Sequence, residues 1–295
     1  MYERILVPLD GSNTAEMVLP YVEEIAARLG AEIFLTSVAE SSAADMDRLY
    51  RSYLEHVMER VRHRLKDYVT REEAKVHTEV LFGKPAGEIL HCADETNAGL
   101  IAMASRGSSG RGPRLLGSIA AKVLRAAGRP VLLIKSPATE AAVQQKRLMR
   151  KILVPLDGSK AGEAAIPFTE VLARAVGAEV ILFQVLAPVR FVAGFETVSP
   201  LAMPPSEESI KASAIAYLNK VAKALEEKGI RTATVVVWGS AAERIADYTE
   251  ANTIDLIAIS THGSSGIGRW VFGSVTEKVL HAGDMPVLVV SPAKP

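Results

Sequence analysis

The sequence predicts an α/β protein that repeats one parallel-sheet unit twice, and three features of the 295-residue chain predict it. The first is a long internal repeat. Ile5-Leu-Val-Pro-Leu-Asp-Gly-Ser12 returns unchanged as Ile152-Leu-Val-Pro-Leu-Asp-Gly-Ser159, and Gly107-Ser-Ser-Gly110 with Gly117-Ser118 returns as Gly263-Ser-Ser-Gly266 with Gly273-Ser274. A solenoid unit is about 20–50 residues long, so copies this far apart are whole domains with their own cores. The second feature is the alternation of short apolar runs with stretches of helical periodicity. The third is that runs such as Leu100-Ile-Ala-Met-Ala104 and Pro130-Val-Leu-Leu-Ile134 are apolar at every position. Such strands are covered on both faces, as parallel sheets are.

In the first copy the pattern places strands near 3–9, 31–38, 75–82, 99–104 and 130–134, with helices near 13–29, 44–70, 84–96 and 118–127. The second copy repeats the order, with strands near 150–156, 178–185, 231–238, 254–259 and 286–290. The small and polar run from Ser136 to Lys146 has no strand pattern and reads as a connection. This gives domains over 1–137 and 149–295, with 138–148 as linker. Matching residues lie 147 apart as far as Val38 and Val185, but 156 apart from Gly83 and Gly239 onward, so the second copy carries nine extra residues. They fall between Ala187 and Ser206, a stretch with four prolines and two phenylalanines that reads as a surface loop or a partner-binding flap.

Composition narrows the function. Lys plus Arg and Asp plus Glu number 34 each, so no global field draws the chain to nucleic acid or to an anionic membrane. No apolar run approaches the ~18 residues of a membrane span, and the sequence opens on a strand pattern, which points to the cytoplasm. The single cysteine, Cys92, falls in an amphipathic helical stretch and reads as a buried thiol. His56, His63, His77, His91 and His281 have no metal-ligand spacing, so no protein-held metal is expected.

Two motifs carry chemistry. Gly107 to Ser118 leads from a buried strand into a good helix with Gly117 or Ser118 at its start. Free N–H groups at a helix start, together with its dipole, suit an anion such as phosphate, and glycine lets the backbone come close. The spacing from Gly107 to Gly117 recurs from Gly263 to Gly273. The other motif, Pro8-Leu-Asp10 and its copy Pro155-Leu-Asp157, closes the first strand. Open parallel sheets bind ligands beyond the carboxyl ends of their strands where strand order reverses, so Asp10 and the Gly107 loop are expected to face one crevice. A carboxylate repels phosphate. Asp10 therefore suits ribose hydroxyls or an amine, or else simply caps the helix beginning near Asn13.

Taken together, strand-Pro-x-Asp-Gly-Ser, a loop of form Ala/Ser-x2-Gly-x9-Gly-Ser that departs only at its first position from the family's Gly-x2-Gly-x9-Gly-Ser, and a terminal Pro-Val-Leu strand resemble the universal stress protein family in its tandem two-domain form, over essentially the whole chain. The resemblance implies two open five-stranded parallel sheets of order 3-2-1-4-5 with helices on both faces. It also implies binding of ATP or another adenine nucleotide, with Mg2+ carried only on the nucleotide's phosphates. By position, Asp10 and Asp157 would contact the nucleoside, and Val38 and Val185 would meet adenine through their backbone. Gly107, Ser108, Gly117 and Ser118, with Gly263, Ser264, Gly273 and Ser274, would hold phosphates. Arg106 and His262, just before the loop glycines, are candidate phosphate donors. Where the family's loop motif begins with glycine this chain has Ala104 and Ser260, which predicts weakened binding. After Gly-Ser the first copy has Ile119-Ala120 and the second Val275-Thr276, and the threonine hydroxyl marks the second site as the stronger. The family further implies an internal pseudo-dimer in which Pro130–Ile134 and Pro286–Val290 pair, with homodimerisation as another possible association.

The leading function is thus a regulatory, stress-response nucleotide binder with no catalytic residues assigned. No Gly-x4-Gly-Lys-Ser/Thr run exists, so the lysine and Mg2+ arrangement of P-loop enzymes is absent. Two rivals stay open. One is an enzyme acting on adenine nucleotides, for which Ser260, His262 and Asp255 are the imaginable hydrolytic set; the other is a scaffold whose first half binds nothing.

Overall fold

The structure is a computed structural model that describes residues 1–40, 44–68, 75–107, 116–187, 206–263 and 272–292. The first half contains strands β1 (Arg4–Pro8), β2 (Glu32–Ala39), β3 (Val76–Phe82), β4 (Leu100–Ala104) and β5 (Val131–Ile134). The second contains β6 (Lys151–Pro155), β7 (Glu179–Leu186), β8 (Arg231–Trp238), β9 (Leu256–Ser260) and β10 (Val287–Val290). They join into one ten-stranded sheet of order β3-β2-β1-β4-β5-β10-β9-β6-β7-β8. Pairing within each half is parallel, and the two halves meet where β5 and β10 run antiparallel, Val131 opposite Val289 and Leu133 opposite Val287. Each half therefore has the expected 3-2-1-4-5 order, and the expected pairing of the terminal strands is present. Every residue of β4, β5, β9 and β10 is buried, as the unbroken apolar runs require.

Helices cover both faces. In the first half α1 (Asn13–Glu16), α2 (Leu19–Leu29) and α3 (Ala44–Lys66) pack on one face, with α4 (Pro85–Glu95) and α5 (Ser118–Ala126) on the other. The connection carries α6 (Glu140–Gln144), whose start is capped by Thr139, so the stretch read as a plain linker contains a short helix. In the second half α7 (Ile166–Val176) and α8 (Glu207–Glu226) share a face, with α9 (Ala241–Ala251) and α10 (Ser274–His281) opposite. Each apolar cluster runs through both halves, so the core is continuous across the β5–β10 seam.

One expected helix is two. Pro20 has no N–H to give the Glu16 carbonyl, so the 13–29 stretch breaks into α1 and α2. Pro167 stands at the same place in α7, preceded by a 3-10 turn at Gly162–Ala165. Both α2 and α7 stop at a left-handed glycine, Gly30 and Gly177 with φ of 68° and 69°. The proline-rich stretch 188–205 lies outside the described residues.

Away from the sheet, the halves also touch through α2 and α7. The Tyr2 hydroxyl donates to the Phe168 carbonyl at 3.1 Å, and Glu24 accepts the Leu148 N–H at 2.8 Å. Beside Glu24, Glu23 is 2% exposed. Arg64 Nε lies 3.2 Å from Glu23 Oε1, yet that oxygen receives no well-aligned hydrogen bond. Burial outweighs Arg64 and Arg60 and pushes the Glu23 carboxyl up to about 7. The folded state then holds a proton that the unfolded chain releases near its ordinary 4.5. The Glu23 contribution to stability is full below that value, falls as pH rises through the window to about 7, and is flat beyond it. Urea titrations across this window should show the fall in the native chain, and Glu23→Gln should flatten it; an unchanged slope in the variant would assign the effect elsewhere.

Candidate functional site

The two halves build matching clefts of about 210 Å3 in the first and 200 Å3 in the second. Their position follows from topology. β1 pairs with β2 on one side and β4 on the other, and chain direction through the sheet reverses between them. The connections after β1 and β4 leave in opposite directions and open a crevice at the strands' carboxyl ends. β6, β7 and β9 repeat this in the second half.

One wall is polar backbone. The Leu9 N–H donates to the Thr36 carbonyl at 2.7 Å, toward β1, while the Gly83 N–H reaches the Ala39 carbonyl at 3.0 Å, on the β3 side. Backbone groups alternate sides along a strand, so Val38 faces the way Thr36 does, past the point where β1 has ended at Pro8. Its N–H and C=O look into the cleft. The bonds Leu156 N–H to Phe183 and Gly239 N–H to Leu186 put Val185 in the same situation.

At the end of β1, Asp10 Oδ1 accepts from the Ser12 N–H at 3.1 Å and hydroxyl at 2.6 Å, and Ser12 in turn caps α1 by accepting the Ala15 N–H. Ser12 is thus the helix cap, and Asp10 is the group that orients it. Asp157 holds Ser159 in the same way, and Ser159 accepts the Gly162 N–H. The other carboxylate oxygen of each Asp faces the loop glycine across the cleft. A Cβ on Gly107 would fall well inside contact distance of Asp10 Oδ2, and one on Gly263 would do the same to Asp157 Oδ2. Glycine at these positions is what lets the carboxylate and the loop backbone meet.

Opposite stand the starts of α5 and α10. Their caps, Gly117 and Gly273, are extended at φ −62° and −58° and place no side chain on the first-turn N–H groups. The Gly117 N–H donates to Ser105 and the Gly273 N–H to Thr261, both at 2.8 Å, which ties each helix start to the end of β4 or β9. The first-turn N–H groups point into the cleft at the positive end of the helix dipole.

Of the residues singled out from the sequence, Pro8, Asp10, Val38, Arg106, Gly107, Gly117 and Ser118 line the first cleft. Pro155, Asp157, Val185, Ser260, His262, Gly263, Gly273, Ser274, Val275 and Thr276 line the second. Ser108 and Ser264 lie outside the described residues. Sequence reasoning missed the apolar wall, formed by Ile89 and Met103 in one cleft and Ile245, Ile259 and Phe183 in the other. The repeat itself held the signal, because the 156-residue offset matches Ile89 to Ile245 and Met103 to Ile259.

The clefts differ where it matters for an anion. Arg106 in the first is matched by His262 in the second, whose Nδ1 is 2.9 Å from the Thr261 hydroxyl. Thr276 is 4% exposed, and its hydroxyl donates to the Ser260 carbonyl at 2.7 Å. That proton is committed to the protein, so Thr276 fixes the first turn of α10 against β9, a bond Ala120 cannot make in the first half. The imagined hydrolytic set is not assembled. Asp255 sits at the opposite end of β9 from Ser260 and accepts the Arg150 and Lys151 N–H groups at 2.8 and 2.9 Å. Cys92 is buried, its thiol pushed up to about 12 by burial and by Glu79.

The model of the universal stress protein family matches residues 1–135 and 149–291. A universal stress protein of Methanocaldococcus jannaschii is 32% identical over 146 residues, covering 48% of this chain and 86% of the relative. One of Synechocystis is 25% identical along 97% of this chain and 99% of its own length. The crystal structure of a universal stress protein from Archaeoglobus fulgidus aligns over 99% of both chains with a TM-score of 0.71 at 21% identity, a likeness of fold.

Proposed function

The chain belongs to the universal stress protein family, matched in both of its halves, and from that premise we propose that it is a regulator that binds an adenine nucleotide, ATP above all, and hydrolyses it slowly or not at all. The observation that carries this reading is the cleft's polarity. Asp10 or Asp157 stands at one end with the outward-facing backbone of Val38 or Val185, and an uncapped helix start stands at the other. A nucleoside fits the first, through ribose hydroxyls on the carboxylate and a base edge on backbone groups, with the apolar wall against the base. Phosphates fit the second. Any Mg2+ rides on those phosphates, since the carboxylates are at the sugar end.

The same polarity argues against fast turnover. Phosphoryl transfer needs a placed water or base and concentrated positive charge on the transferring group. Each cleft offers N–H groups, a serine and one His262 or Arg106 at the phosphate end. The protein would act in the cytoplasm, as two nucleotide domains over 1–137 and 149–295, with occupancy changing a surface read by a partner. No helix among the described residues is long and apolar enough to cross a membrane.

The direct test is to denature the purified protein and identify released small molecules by mass spectrometry, followed by a steady-state ATPase assay. An adenine nucleotide and turnover well below about 1 per second, the low edge of ordinary enzymes, are expected. Turnover above that rate, abolished in His262→Ala, would make the protein an enzyme; failure of ATP to bind at either cleft would favour the scaffold reading.

A further inference from the structure

Each cleft's helix ends against the other half. Leu116, just before the cap of α5, shares a small cavity with Leu280 in the last turn of α10 and with Asp284 just beyond that helix. Reciprocally, Phe272, just before the cap of α10, lies under the Arg125 guanidinium from the last turn of α5, 5.7 Å from ring centre to charge. The segment that starts one helix cradle thus rests on the end of the helix that forms the other.

On this near-symmetric frame Lys135 has no counterpart in the second half. Lys135 follows β5 and is 6% exposed. Its ammonium donates to the carbonyls of Val279 and Ala282, at 2.9 Å each, so a cation from the first half closes the negative end of α10. At the matching place in the second copy stands Ser291, whose short side chain carries no charge. Lys135 also lines the same cavity as Arg106, a residue of the first cleft. Burial draws the ammonium down to about 8, with Asp284 opposing and Arg106 adding to the fall. A line of neighbouring charges therefore runs from Arg106 in the first cleft, through Lys135 in the shared cavity, to the C-terminus of α10, whose N-terminus is the anion end of the second cleft.

Resting on the nucleotide reading above, we propose that Lys135 is a positioning residue that couples the two clefts, so that an anionic nucleotide in the first raises the affinity of the second. The sign follows from charge. Phosphate beside Arg106 offsets the repulsion that Lys135 feels from it and strengthens the ammonium's hold on the α10 carbonyls. A firmly held α10 presents its first turn to the second ligand already in place, and by linkage the effect is reciprocal.

The test is calorimetric titration of the full chain with ATP and Mg2+, with the first cleft open or closed. Ser118 is exposed at the mouth, so Ser118→Trp fills the first cleft without entering the core. Signal from the second cleft is identified by its loss in Ser274→Trp. Closing the first cleft should weaken the second about five-fold, the lower end of measured allosteric couplings. In Lys135→Met the second cleft should bind equally well whether the first is open or closed, and Lys135→Arg should restore the dependence. If Lys135→Met melts early, Lys135→Gln replaces it. A dependence that persists without the lysine, or is missing with it, overturns the coupling alone. No ATP uptake at either cleft overturns it together with the nucleotide reading.

Discussion

Leu288→Ala is expected to lower the unfolding free energy by about 2–5 kcal/mol, the range for truncating a buried leucine. Leu288 faces Leu132 across the antiparallel seam, and both are 1% exposed. Neighbours on both faces belong to apolar clusters shared by the two halves, so the space left cannot close by moving one half alone. Leu132→Ala should cost a similar amount. Residues in contact couple, so the double variant should lose less than the two single losses combined. Because the core and sheet are continuous, urea should unfold the native chain in one transition by both circular dichroism and tryptophan fluorescence. Two separated transitions, or strictly additive losses, would mean that the seam joins independent halves rather than one cooperative sheet. The seam also covers two edges that would otherwise offer unpaired backbone to other chains, so its loss should show as aggregation near the midpoint.

The parallel sheets were legible because their strands are buried on both faces, and continuous apolar runs such as Leu100–Ala104 have few other uses. The site was legible because it is written twice: Asp10 with Gly107 and Asp157 with Gly263 are single contacts seen through two copies of one sequence. Local chemistry that competes with periodicity was harder. Pro20 marked the break between α1 and α2, yet the apolar spacing runs straight through it. Thr139 before Glu140 is a capping signal in a stretch that its small residues otherwise mark as a connection.

Least legible were side chains whose role depends on a distant partner. Thr276 reads as a phosphate ligand from its place after Gly-Ser, but its depth under β9 turns the hydroxyl toward the Ser260 carbonyl. Lys135 carries no local signal that would single it out. Its partners are 144 and 147 residues away, on a helix that only the antiparallel seam brings near.

ATP with Mg2+ at a hundred times the dissociation constant of the second cleft should raise the stability of the native chain by about 2.7 kcal/mol through that cleft, the first adding less, and Gly273→Val should remove most of the gain. The substitution suits the position because the protein itself tolerates it. Gly273 has φ −58°, open to any residue, and a Cβ there would meet the Thr261 carbonyl oxygen at an ordinary 3.4 Å. The Gly273 N–H still donates to Thr261, so stability without ligand should fall only by the cost of an aliphatic residue at a helix cap, about 1 kcal/mol. What the isopropyl group does occupy is the approach to the first turn of α10, where phosphate oxygens would take the N–H bonds. Gly117→Val is the less clean control, since its Cβ would lie 3.1 Å from the Ser105 carbonyl oxygen and press on β4 even without ligand. The second cleft should dominate because the Thr276 hydroxyl already pins its helix start, whereas Ala120 leaves the first without that bond. Thermal melts of both variants with and without ATP decide the assignment: a ligand-induced shift that survives Gly273→Val and vanishes in Gly117→Val would place the dominant site in the first half.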